Sequence, residues 1–262
     1  MKNLSGKTAL VTGASRGIGR ATALALAEAD AQVLVHYASA EREADAVVAE
    51  IRRTGGRAEK VNADLALKDG PYRLAEQVRS IVGLQLDILV ANAGISLASP
   101  IEETKVEDLD KLFAVNVRAP YFLVQQLLPI LGKDSSITFV SSLAAHASVN
   151  DLSAYAATKG AIDTIVKHFA AALGPKGIRV NAVAPGVVET DMSNFTKTEA
   201  GREITLGMQA LKVKLFSMRL TSLSLKPFTS TSATVTRSIT RTPSRTLSCR
   251  IPDSELFGRR RR

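Results

Sequence analysis

Short apolar runs alternate with longer stretches whose apolar residues recur every three to four positions, and this alternation up to about residue 184 constrains the fold more than anything else in the chain. Thr8–Thr12 is followed by the glycine turn Gly13–Gly19 and by the alanine- and leucine-rich stretch Arg20–Ala29. Gln32–Tyr37 is a second run, after which Ala44, Val47, Val48 and Ile51 fall at i, i+3, i+4 and i+7, one face of a helix ended by Gly55 and Gly56. Ala58–Ala63 and Asp87–Val90 bracket a further amphipathic helix marked by Leu74, Val78, Ile81 and Val82. A long helical region, roughly 106–131, precedes a fifth run, Ile137–Ser141, and the helix Ala154–Leu173 precedes a sixth, Ile178–Ala184. Strands alternating with helices predict a parallel sheet covered on both faces. Ligands of such sheets sit beyond the carboxyl ends of the strands. The polar departures from the pattern fall there: Gly13–Gly19 after run one, Asp64 after run three, Asn92-Ala93-Gly94 after run four, Ser142 after run five, Pro185-Gly186 after run six.

Two of these stretches suggest chemistry. Gly13, Gly17 and Gly19 let a backbone turn tightly and approach a pyrophosphate, and the helix that follows offers N–H groups and the positive end of its dipole. Their Gly-x-x-x-Gly-x-Gly spacing differs from Gly-x-Gly-x-x-Gly, and a glycine cluster is first of all a turn signal. Tyr155 and Lys159 stand four apart in a helical stretch, so one face carries both. An ammonium beside a phenol favours the ionised form and lowers its pKa from about 10, which suits acid–base work. The same spacing arises by chance in many helices as a half-exposed tyrosine beside a solvated lysine, so context decides its meaning. Asn116, taken alone, reads as a capped or solvent-facing asparagine.

At 262 residues with 45% hydrophobic content the chain suits one large α/β domain. Cys249 is the single cysteine, so no intrachain disulfide can form, and no Cys/His pairing has zinc-site spacing; no metal is expected. No apolar stretch approaches the ~20 residues of a membrane span, and a cytoplasmic location is expected. The net charge of +9 would suggest nucleic acid or acidic membrane, but residues 213–262 hold 11 Lys/Arg against 2 Asp/Glu, and the remaining 23 of each sign cancel. That segment also carries 17 Ser/Thr and ends in Arg259–Arg262. Its composition reads as disordered.

With these positions in hand, residues 1–212 resemble the short-chain dehydrogenase/reductase family, and most closely its 3-oxoacyl-(acyl-carrier-protein) reductase-like members. Thr12–Gly19 is similar to the family's cofactor loop, Asp64 to the residue that contacts adenine, and Asn92-Ala93-Gly94 to the motif that steadies the central strand, with Ala91 where the family usually has a further asparagine. Asn116, Ser142, Tyr155 and Lys159 match the catalytic tetrad, and Pro185-Gly186 with Thr190 resembles the segment that holds the nicotinamide carboxamide. The resemblance implies a Rossmann-like doubly wound sheet in the order 3-2-1-4-5-6. The family's seventh strand has no counterpart after Lys212, so residues 213–262 are expected to be disordered or frameshifted.

The resemblance also implies an oxidoreductase that interconverts a carbonyl and a secondary alcohol by hydride transfer. Tyr155 would pass the proton, Ser142 would bond the carbonyl oxygen, Lys159 would lower the phenol's pKa and hold the nicotinamide ribose, and Asn116 would anchor a water. Gly13, Ser15, Arg16, Gly17, Ile18, Gly19, Tyr37, Ser39, Asp64, Leu65, Asn92, Ala93, Gly94, Tyr155, Lys159, Pro185, Gly186, Val188 and Thr190 would bind the cofactor. NADP(H) is expected in preference to NAD(H), because Tyr37 stands where an NAD-binding acid would end the second strand and Arg16 can meet a 2′-phosphate. The apolar lid region 189–212 suits fatty acyl chains, cyclic ketones or sugars alike. A homo-oligomer is expected, at most a dimer if the tail is non-native. The rival readings are a nucleotide-binding protein left inactive or unstable by its C-terminus, and a tail that tethers the chain to phosphate-bearing surfaces.

Overall fold

The computed structural model describes residues 3–188 except residue 150, together with Thr190, Met192, Thr198, Glu199 and Glu203. The boundary at residue 212, the tail beyond it and most of the lid region lie outside the described residues. Six strands, β1 (Thr8–Val11), β2 (Gln32–Tyr37), β3 (Arg57–Asn62), β4 (Ile88–Ala91), β5 (Ser136–Val140) and β6 (Arg179–Val183), form one parallel sheet in the order β3-β2-β1-β4-β5-β6. The Rossmann-like doubly wound order expected from the resemblance is therefore observed. Register follows the apolar runs: Leu10 pairs with Leu34 and Leu89, and Val11 with Val35 and Val90.

Successive side chains of a strand point to opposite faces, so strands apolar at every position need cover on both sides. Leu10, Leu34 and Leu89 face α3 (Gly70–Val82), α5 (Ala119–Leu127) and α6 (Ser153–Leu173), meeting Leu74, Val78, Leu123, Leu127 and Ile162 in the larger core. Val11, Val33, Val35 and Val90 face the other way, against Ala23 and Ala27 of α1 (Gly17–Glu28) and Ala44, Val47, Val48 and Ile51 of α2 (Glu41–Arg53). The four residues of α2 named from their spacing are the ones its buried face uses.

The region 106–131 is not one helix. It comprises α4 (Val106–Phe113), a π-helical turn over Ala114–Arg118, α5, and a 3-10 turn at Leu128–Ile130. Pro120 has no N–H to give to the carbonyl of Asn116, four residues earlier, and the helical ladder changes step at that point.

Candidate active site

At the carboxyl ends of β1 and β4, where the connections diverge to opposite sides, Thr12 and Asn92 stitch the strands together. The buried Thr12 hydroxyl donates to the Val90 carbonyl at 3.3 Å and accepts from the N–H groups of Asn92 and Ala93, both at 2.9 Å. The Asn92 side-chain amide donates to the carbonyls of Thr12 at 2.8 Å and Gly13 at 3.1 Å. Gly13 and Gly17 adopt the left-handed region, φ +63° and +56°. A Cβ on Gly19 would fall on the Gly13 carbonyl and 2.6 Å from the Asn92 amide nitrogen, so α1 docks on this loop only without a side chain there. No side chain caps the first turn of α1, which holds no acidic residue. Those amides and the exposed Arg16 suit the anionic bridge of a dinucleotide. Ser15 is buried in the loop, Ile18 is half-buried, and Thr190, beyond β6, lies against Gly17.

Sequence reasoning missed His36. It is buried within β2 and accepts from the Gly13 N–H through Nδ1 at 3.0 Å, which leaves the proton on Nε2 to meet the Ala63 carbonyl at 3.0 Å. Burial pushes the imidazole down to about 4, against the smaller opposing pull of the Ala63 carbonyl. The available signal was a polar side chain inside an otherwise apolar run, directly before Tyr37.

At the carboxyl end of β2, the ring of Tyr37 is buried and its hydroxyl donates to Glu41 at 3.2 Å. Lys60 bonds Glu41 at 2.8 Å and Asp45 at 2.7 Å, which raises the lysine's pKa and lowers that of Glu41. Ser39 is exposed beside them. Asp64 is exposed past β3, one carboxylate oxygen accepting from the Ala66 N–H at 2.9 Å, and Leu65 is buried behind it.

Ser142 follows β5, and its loop is tied to the end of β6 by the Ser141 N–H on the Val183 carbonyl at 2.8 Å and the Leu143 N–H on the Pro185 carbonyl at 2.9 Å. This brings Pro185 against the Ser142 loop, with Gly186, Val187 and Val188 following it in the chain. Tyr155 begins the first turns of α6, and burial raises its phenol's pKa, against a hydrogen bond with Ser142 that lowers it. The expected lowering by Lys159 is absent here. The Lys159 ammonium stands 5.6 Å from the centre of the tyrosine ring and donates instead to the Val140 carbonyl at 2.8 Å. Burial in turn lowers Lys159 to about 8, partly opposed by the charge of Asp163.

Asn116 is neither solvent-facing nor a cap. Within the π turn its amide donates to the Ile95 carbonyl at 2.9 Å and to Thr158 Oγ1 at 3.1 Å, and its oxygen accepts from the Ile95 N–H at 2.9 Å. Thr158 donates on to the Tyr155 carbonyl at 2.6 Å. Thr158 is a second residue that sequence reasoning missed. A Cβ on Gly94 would lie 3.2 Å from Asn116 Oδ1 and 3.6 Å from Lys159 Nζ, so the bare backbone after β4 lets the three meet. Among the described residues no group of three His, Cys, Asp or Glu is placed to hold a metal ion.

The short chain dehydrogenase family pattern matches residues 7–201. The chain belongs to that family. Among its relatives, a hydroxynaphthalene reductase-like protein Arp2 from Metarhizium robertsii is 43% identical over 192 residues, 73% of this chain and 72% of the relative. The crystal structure of the angucycline C-6 ketoreductase LanV with bound NADP is 39% identical with a TM-score of 0.76, covering 80% of this chain and 84% of that one. A short chain dehydrogenase from Burkholderia cenocepacia in complex with NADP is 38% identical with a TM-score of 0.73, covering 77% and 83%. This short-chain dehydrogenase is thus an oxidoreductase at the level of reaction class. The first two are named for hydroxynaphthalene and ketone reduction, and none of the three lends support to a closer likeness to 3-oxoacyl-(acyl-carrier-protein) reductases.

Proposed function

We propose that the chain is an NADP(H)-preferring carbonyl reductase whose substrates are ketones on fused or cyclic ring systems. The observation that carries the proposal is the set at the end of β5 and the start of α6: Ser142, the half-buried phenol of Tyr155 with its pKa raised by burial against the lowering by Ser142, and a buried lysine one helical turn on. When bound, the dinucleotide supplies a hydride to the carbonyl carbon. Tyr155 gives its phenolic proton to the carbonyl oxygen, so that ketone, hydride and proton together make the alcohol. Ser142 donates to the same oxygen as negative charge develops on it, which stabilises the transition state. Lys159, its ammonium 5.6 Å from the centre of the tyrosine ring, supplies a donor for a ribose hydroxyl. Asn116 commits both amide hydrogens and its oxygen to Ile95 and Thr158, so its side chain positions the loop after β4 against α6.

Support for NADP(H) comes from Arg16 beside the glycine loop, from Tyr37 in place of an acid, and from the NADP-bound relatives. Support for ring-system ketones comes from Leu143, 46% exposed next to Ser142, from exposed Val149, and from the relatives named for such substrates. A homodimer through α4, α5 and α6 belongs to the same proposal, because Leu109, Phe113 and Tyr121 stand exposed on that helical layer.

The test is loss of NADPH with a panel of cyclic aromatic ketones and a 3-oxoacyl thioester. Tyr155→Phe is expected to lower turnover by about 100-fold or more with NADPH affinity nearly unchanged. Wild-type turnover in Tyr155→Phe would sink the assignment.

A further inference from the structure

A second acid–base pair adjoins the catalytic set without belonging to it. His146 follows the 3-10 turn Leu143–Ala145, and its Nε2 stands 2.9 Å from Oδ2 of Asp163. Asp163 lies one helical turn beyond Lys159, as Tyr155 lies one turn before it, so the three share a row along α6. The carboxylate is only 19% exposed, and its Oδ2 is buried with no aligned hydrogen-bond donor, the imidazole Nε2 standing beside it. A buried carboxylate oxygen without a hydrogen bond destabilises a fold and asks for a reason.

We propose that Asp163 is a positioning residue whose fixed negative charge holds the proton on the buried Lys159, and that His146 keeps the carboxylate in that row. The inference rests on the reductase reading above for its catalytic meaning. Its physical basis is the poverty of other charge around Lys159. Lys159 is 5% exposed, and its ammonium bonds the Val140 carbonyl of β5. From its own helix it faces the neutral phenol of Tyr155 and from the loop after β4 the bare backbone of Gly94, with the uncharged Asn116 of the π turn beside them. Among the described residues Asp163 is the one charged group that acts on it, none reaching it from α4 or β6. Facing Asp163 are His146 from the turn after β5, Lys159 a turn before it and the exposed Lys167 a turn beyond it. Burial alone favours loss of the lysine proton, and at about 8 the group is already close to working pH. An opposite charge on the next turn is therefore what keeps the ammonium available to the phenol and the ribose.

The sign follows. Removing the carboxylate lets the ammonium lose its proton at lower pH, so the alkaline side of the activity profile moves toward neutrality. Lys159 is titrated by 13C-lysine NMR in the full chain without cofactor or substrate, its resonance assigned by its loss in Lys159→Met. Asp163→Asn is expected to move that titration, and the alkaline limb of turnover, down by about one pH unit. Asp163→Glu should restore both, and His146→Ala should shift both in the same direction by less. An unchanged Lys159 titration in a folded Asp163→Asn chain overturns the proposal; if that variant does not fold, an unchanged titration in His146→Ala does so. A titration that shifts as expected in a chain with no reductase activity supports this inference and removes the functional reading instead.

Discussion

The imidazole of His36 accepts from the Gly13 N–H and faces the Ala63 carbonyl, and it can hold both contacts only as the neutral ring. Its folded pKa of about 4 lies below the ~6.5 of an unfolded histidine, so the unfolded chain takes up the proton first as pH falls. The stability linked to His36 is full above about pH 6.5 and is lost as pH falls toward 4, by about 3 kcal/mol in total. His36→Asn, which keeps an acceptor near Nδ1 but cannot take the proton, is expected to flatten that loss in urea unfolding measured across the range. An identical pH dependence in the variant would assign the loss to other groups. The role of His36 was hidden in the sequence because its partners lie 23 and 27 positions away, and nothing local marks a strand histidine as a bracket for a glycine loop. That Tyr155 and Lys159 share one helix face was legible from their spacing, since four residues of helix fix their relation, whereas their chemical meaning depended on context. The orientation of the ammonium was not, because Val140, which holds it, comes from another element.

Whole elements were easier to read than their junctions. Gln32–Tyr37 announces a strand because it is apolar on both faces, and α2 announces its buried face through Ala44, Val47, Val48 and Ile51. The π turn at Ala114–Arg118 escaped notice because apolar periodicity continues through it, although Pro120 marked the place where the ladder must change. The close seat of α1 on the glycine loop gives an element-scale prediction. In Gly19→Ala the added methyl meets the Gly13 carbonyl and the Asn92 amide, both of them held by Thr12 or its neighbours, so neither can give way cheaply. The variant is expected to lose about 1–3 kcal/mol of stability and most of its NADPH affinity. Unfolding midpoints and a fluorescence titration measure the two losses, and a variant with both unchanged would mean that α1 does not seat as described.

For the molecule as a whole, a ligand that binds only the folded chain stabilises it by mass action, about 2.7 kcal/mol at one hundred times its dissociation constant. For a domain of this size that corresponds to a rise in Tm of roughly 5–10 °C. NADPH is expected to give such a rise at concentrations where NADH gives less, and Arg16→Ala should narrow the difference; equal shifts from the two dinucleotides would remove the preference. The parallel order of the sheet has another consequence, which concerns the chain as it is being made. β1 lies at the centre, and one of its two neighbours, β4, pairs Ile88–Val90 with Ala9–Val11. At translation rates of ~5–20 residues per second, the ~80 residues between those partners take ~4–16 s to emerge. During that interval Leu10 and Val11 border an open, apolar strand edge, and the Thr12 hydroxyl has neither Val90 nor Asn92 to bind. The nascent N-terminal third is accordingly expected to present that open edge to chaperones on the ribosome.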